Sequence, residues 1–242
     1  MRYNNAPIRE AIFDIRVEGL KNSNLEQLEN LFEVFKEIYP IKQKKINLAG
    51  KIEIVEDSVK TPFSSQLNGF VFKTQDEGRQ VQVRLDGFTF NWVNNYSEWN
   101  EFSAEAFRLW SIYRNEFSNL KISRIALRYI NRIKIPLPIS EFQDYIVNMP
   151  PIPASLPQSY SNFFMRIEVP CDKGETSIVL SETIENPTKE YLPFILDIDV
   201  YKLGDLSSLD NNQLQSKFEE LRNLKNITFE NCITDKTRNL FN

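Results

Sequence analysis

The stretch Arg79-Gln80-Val81-Gln82-Val83-Arg84-Leu85-Asp86-Gly87-Phe88-Thr89-Phe90-Asn91-Trp92-Val93 decides what kind of fold this chain can have. Val81, Val83 and Leu85 occupy odd positions, whereas Phe88, Phe90 and Trp92 occupy even ones. Side chains of a strand alternate between two faces, so one continuous strand would send one of these sets into water. A two-residue turn at Asp86-Gly87 removes the conflict, because the returning chain brings both sets to one face. The expectation is a β-hairpin in which Leu85 faces Phe88 and Val83 faces Phe90.

Outward from the hairpin, residues 70–74 read as a short strand turned by Asp76-Glu77-Gly78. A polar loop precedes it up to about Gly69, and an extended segment lies around 45–55. Near the start, residues 7–17 read as a strand with Ala11, Phe13, Ile15 and Val17 on one face. Asn24 and Gln27 form a capping box for a helix with Leu25, Leu28, Phe32, Phe35 and Tyr39 on one stripe, stopped by Pro40. After the hairpin, Asn95 and Glu98 cap a helix carrying Trp99, Phe102, Ala106, Leu109, Trp110, Tyr113 and Phe117 on its buried stripe.

The second half repeats the order. Residues 122–135 form a strand ended by Pro136 and Pro138, and Ser140 with Gln143 caps a short helix before Pro150-Pro151. A stiff loop covers 150–157. Residues 163–169 read as a strand with Phe163, Met165, Ile167 and Val169 inward, followed by strands at 175–182 and 194–201. Asp210 and Gln213 cap a last long helix with Leu214, Phe218 and Leu221 inward, and a further short helix follows Thr228. The fold class is therefore α+β, with antiparallel sheets backed by helices. Duplicated strand-helix-meander-helix halves, 1–119 and 120–242, make one compact pseudo-symmetric unit. The halves share almost no sequence, so duplication rests on element order alone.

Composition bounds the chemistry. Among 242 residues, 41% are hydrophobic and 18 are Phe, enough for a packed interior. With seven glycines, phosphate-cradling Gly-rich loops are disfavoured. A formal charge of −4 offers no global attraction for nucleic acid or anionic membrane, so nucleic acid is not the favoured partner. No run approaches the roughly 20 apolar residues that span a bilayer, and the N-terminal residues lack the apolar core of a signal peptide. Cys171 and Cys232 stand alone and make no disulfide framework; both are expected to be reduced and functionally silent, and a cytoplasmic location is expected. Histidine is absent, which removes Ser-His-Asp and Cys-His catalysis and histidine-based zinc sites.

The strand 122–135 carries the most suggestive pattern. Ile125, Leu127, Tyr129 and Ile133 share one face, while Arg124, Arg128, Arg132 and Lys134 share the other. Arginines four apart on a strand lie roughly 13 Å from one another, which suits a track of phosphates. The first strand, however, presents Glu10, Asp14 and Arg16 on its polar face. If the halves meet at their first strands, Glu10 pairs with Arg124, Arg128 or Arg132, and the track becomes an ion-pair network. Asp197 and Asp199, two apart on a strand, are a minimal hard-metal arrangement. With Arg84, Arg128 and Arg132 they could line a phosphate-processing tunnel using Mg²⁺, although the Glu-x-Glu-x-Lys run of triphosphate-tunnel enzymes is missing. Trp92, Tyr96 and Trp99 cluster at a strand-to-helix corner, either as core or as a ligand surface.

Three segments taken in order carry a resemblance. They are Asn5-Ala6-Pro7-Ile8-Arg9-Glu10-Ala11, then Phe90-Asn91-Trp92 with Tyr96, Trp99 and Phe102, and Leu127-Arg128-Tyr129-Ile130-Asn131-Arg132-Ile133. Together they resemble a sporadically distributed bacterial family of uncharacterised proteins, which supplies no mechanism. Its patchy distribution implies horizontal transfer, as of mobile defence or toxin–antitoxin loci. The reading is a non-catalytic protein-binding component of a bacterial defence or toxin-neutralising module, needing no cofactor and having another protein as partner. The alternative is a phosphate-handling protein, either a nucleotide or nucleic-acid binder or a metal-dependent enzyme, acting through the arginine strand.

Overall fold

The computed structural model describes the backbone at residues 3–50, 53–55, 58–60, 63–117 and 120–242, and side chains at the same positions apart from 48–64. The extended reading of 45–55 and the proposed boundary at 119/120 therefore fall partly outside the described residues. In chain order the elements are β1 (Ile8–Glu18), α1 (Leu25–Phe35), β2 (Ile41–Gly50), β3 (Glu53–Val55), β4 (Ser58–Lys60), β5 (Phe63–Lys73), β6 (Arg79–Arg84) and β7 (Gly87–Val93). They continue with α2 (Trp99–Glu116), β8 (Lys121–Pro136), β9 (Phe164–Cys171), β10 (Thr176–Ile184), β11 (Tyr191–Leu203), α3 (Asn211–Cys232) and α4 (Asp235–Arg238).

Antiparallel pairing joins nine strands into one sheet, ordered β2-β5-β6-β7-β1-β8-β11-β10-β9, with β3 and β4 as a separate ribbon. The α+β class is thus realised with a single large sheet. β1 and β8 are adjacent at its centre, with Phe13 opposite Leu127 and Ile15 opposite Ile125. One face is packed by helices. Phe13 stacks on Phe218 of α3 and meets Phe107 of α2 edge-on. Phe90 stacks on Phe102, Phe88 packs on Trp110 and Tyr113, and Phe72 packs on Phe32 and Phe35 of α1. The apolar stripes predicted for α1 and α2 are the buried ones, although Leu25 and Phe32 are only half-buried. Long helices crossing one face leave the other face to its polar side chains.

The hairpin forms, with its turn one residue earlier and its pairing register therefore shifted by two residues. Val83 faces Phe88 and Arg84 faces Gly87, so Leu85-Asp86 are the loop residues. Both registers keep the two apolar sets on one face, which is all that parity can specify. Gly87 decides between them, because a Cβ there would stand 2.3 Å from the Ile15 carbonyl oxygen. It belongs in the strand, pressed against β1, rather than in the turn.

Four other expectations change. Residues 63–69 continue β5 instead of looping, because they pair with β2 from Phe63–Gly50 to Lys73–Ile41; pairing overrides their polar character. At the start of α1, Asn24 bonds to Gln27 and the Lys21 amide without capping the helix, and Glu98 precedes α2 without a capping bond. The short helix after Ser140 is a single 3-10 turn, Phe142–Asp144, too short to nucleate an α-helix. Finally, Ile167 and Val169 of β9 are exposed, because α3 packs on β11 and β8 and leaves the edge strand uncovered. By contrast, the Asp210–Gln213 capping box forms as read, with reciprocal bonds of 2.8 and 3.0 Å.

Candidate functional site

The helix-free face gathers most of the residues singled out from sequence. β1 contributes Glu10, Asp14 and Arg16, β6 contributes Arg84, β7 contributes Thr89 and Asn91, β8 contributes Arg124, Arg128 and Arg132, and β11 contributes Asp197 and Asp199. Asp14 is the hub. Its carboxylate accepts from Arg84 Nη2 at 3.1 Å, Thr89 Oγ1 at 2.6 Å, Arg124 Nη1 at 3.1 Å and Arg16 Nε at 3.4 Å. Arg84, buried in spite of its charge, also donates to Asp86 and to Thr89.

The arginine track is engaged along its length. Arg124 reaches from β8 to Asp199 of β11 at 3.1 Å and lies over the Tyr201 ring. Arg128 grips Asp197 with two bonds, 2.8 and 2.5 Å, and Arg132 donates to Glu185 at 2.7 Å. Burial pushes the Asp199 carboxyl above the usual carboxylate range, and the nearby Arg124 and Arg128 guanidiniums oppose that shift. An ion-pair network is therefore what β1, β8 and β11 build. Glu10, however, makes no ion pair with Arg124, Arg128 or Arg132 among the described residues. Its Oε1 accepts from Asn91 Nδ2 at 2.6 Å instead. The reason is competition, since Asp197 already holds Arg128, the guanidinium whose charge reaches Glu10. Asp197 and Asp199 are likewise spent on arginines, and no group of three or more His, Cys, Asp or Glu is gathered as a metal site among the described residues.

No family model, curated protein or solved structure matches this chain.

The aromatic corner leads to a second place of interest. Trp92 and Trp99 are buried, whereas Tyr96 lines a cavity of about 360 Å³ between the corner, the chain start around Tyr3 and Pro7, and α3. The floor of this cavity is Lys225, which is only 9% exposed. Its ammonium sits 3.9 Å from the centre of the Tyr129 ring and has no hydrogen bond or ion pair among the described residues. Burial, helped by the Arg222 charge, pushes its pKa down to about 7. Nearby carboxylates are already committed, Glu219 to Trp99 and Arg222, Glu230 to Tyr3 and Arg238. The Tyr96 and Tyr129 hydroxyls bond to each other at 3.0 Å.

Lys225 escaped the sequence reading although a signal was present. It falls on the buried stripe of α3, between Leu221 and Phe229, where a charged residue interrupts an apolar series. The cysteines do not join either place; Cys232 is buried, and desolvation pushes its thiol up to about 12. None of the described helices is long and apolar enough to cross a membrane.

Proposed function

We propose that this chain is a non-catalytic protein-binding component whose docking element is the edge strand β9. One observation carries the reading. β9 pairs with β10 on one side only, and its side chains Phe164, Ile167 and Val169 are 71%, 41% and 45% exposed. An uncovered apolar edge is a template for another strand, and proteins that do not use such an edge blunt it. Arg166 and Glu168 alternate with the apolar side chains, so the fitting partner is another protein. It supplies an antiparallel strand with an acid against Arg166, a base against Glu168 and apolar residues against Ile167 and Val169. The phosphate-handling alternative gains nothing from the arginine track, because Arg124, Arg128 and Arg132 each have a carboxylate within 3.1 Å, whereas Arg166 of β9 lies 3.9 Å from Glu168.

A synthetic peptide of sequence Phe164-Met165-Arg166-Ile167-Glu168-Val169-Pro170 is a suitable probe. Aligned antiparallel about Ile167 it presents the required charges. Saturable binding to a monomeric chain, abolished by Ile167→Lys, supports the proposal. Absence of binding overturns it. A stable dimer of the chain that Ile167→Lys dissociates would also overturn it, by assigning the edge to a second copy. On the resemblance noted above, we place the partner in a bacterial defence or toxin-neutralising module, for which an adjacent gene for a toxin, nuclease or sensor is the check.

We also infer that the two halves are duplicated. What supports this is that β1 and β8 are central neighbours, that each is flanked by a meander returning to it, and that each meander is followed by a long helix. The 3-10 turn at Phe142–Asp144 stands where the first half has α1. A single twofold rotation should carry β1, β5, β6 and β7 onto β8, β9, β10 and β11; superposition that matches only the central strands would refute it.

A further inference from the structure

We propose that the cavity floored by Lys225 is a binding site for a small organic oxyanion with a planar body, such as an aromatic carboxylate. Two features of the cavity define the ligand. The first is an unmet donor. Lys225 is a three-donor group held under more than nine-tenths burial, and among the described residues its ammonium has the Tyr129 ring and no acceptor. A buried charge without an acceptor is costly unless something supplies one. The carboxylates that line the cavity do not do so, since Glu230 is engaged with Tyr3 and Arg238 and Glu98 has a partner of its own. A ligand oxyanion can.

The second feature is the wall. Tyr96, Trp99, Tyr129 and Phe229 surround the space, and its volume of about 360 Å³ suits a small ring-bearing molecule rather than a nucleotide. Aromatic walls contribute stacking surface, so the body of the ligand adds affinity that a bare anion lacks. Lys225 acts here as a binding residue, with Arg222 on the rim adding positive charge.

Benzoate and inorganic phosphate, titrated separately into the full chain with tryptophan fluorescence and calorimetry as readouts, distinguish the cases. Benzoate should bind saturably at one site per chain, with phosphate at least about tenfold weaker because it leaves the walls uncovered. Lys225→Met, close in volume and without charge, should weaken benzoate about thirtyfold or more. Because that variant could fold poorly, acetylation of the unaltered chain gives an independent measure. Mass spectrometry should find Lys225 acetylated near neutral pH and protected by saturating benzoate. No saturable benzoate binding, equal binding of phosphate, or acetylation of Lys225 indifferent to benzoate would each overturn the assignment.

Discussion

At the scale of single residues, Asp14 and Glu182 do work that their neighbours cannot take over. Asp14 balances Arg84 and Arg124, whose side chains are 7% and 22% exposed. Asp14→Ala removes the carboxylate they share, leaving Arg84 with Asp86 and Arg124 with Asp199, and should cost about 2–3 kcal/mol. Glu10→Ala removes one hydrogen bond, to Asn91, and should cost about 1 kcal/mol. Urea unfolding of the two variants measures the contrast; equal losses would mean that Asp14 is not the hub. Glu182 sits on the core-facing side of β10, fully buried, and burial pushes its pKa up to about 7. Asn148 donates to its Oε1, while Glu182 Oε2 and Asn148 Oδ1 both lack partners, so a proton retained on the acid supplies the donor that this pair lacks. The folded state then binds more protons than the unfolded state between pH 4.5 and 7, and the Glu182 contribution to stability falls as pH rises through that window. Glu182→Gln should match the parent near pH 4 and exceed it by about 3 kcal/mol near pH 8. An acid in the alternating series Ile178, Leu180, Glu182, Ile184 was visible in the sequence. Which acid meets which arginine on the open face was not, because diagonal reach across strands depends on rotamers and on which guanidiniums are already occupied.

At the scale of elements, the close approach of β5 to β6 rests on Gly69. A Cβ there would stand 2.0 Å from the Val83 carbonyl oxygen, a backbone atom that cannot step aside alone. Gly69→Ala should therefore lower stability by about 2–4 kcal/mol. Gly204→Ala is the control, because its Cβ would meet nothing within 4 Å and only the φ of +140° opposes it, at about 1 kcal/mol. Thermal melts of the pair separate steric from conformational cost. The elements most legible in the sequence were those with a strong period, namely β6, β7, β8, α2 and α3. Parity located the hairpin but could not choose between two registers that bury the same faces. The early part of β5 was missed because pairing with β2, not burial, makes it a strand. Ile167 and Val169 misled for the opposite reason, since alternation reports a face without reporting whether any helix covers it.

At the scale of the whole molecule, the β1–β8 seam makes the halves mutually dependent. Phe13 of β1 stacks on Phe218 of α3 with ring centres 3.9 Å apart, and Phe218 also meets Phe107 of α2. Residues 1–119 and 120–242 produced separately should each give poorly dispersed amide spectra, and mixing them should restore dispersion. A half that folds alone would refute this. The central place of β1 has a further consequence for how the chain is made. β1 leaves the ribosome well before one of its two lateral neighbours, β8, which ends at Pro136. At synthesis rates of about 5–20 residues per second, β1 waits on the order of 6–25 s before that neighbour has been translated. Throughout that interval its row of Ala11, Phe13, Ile15 and Val17 has no completed sheet to enter. High contact order of this kind slows folding and lengthens exposure to aggregation. The nascent chain of this protein should accordingly depend on chaperone capture until β8 has emerged, and far less afterwards.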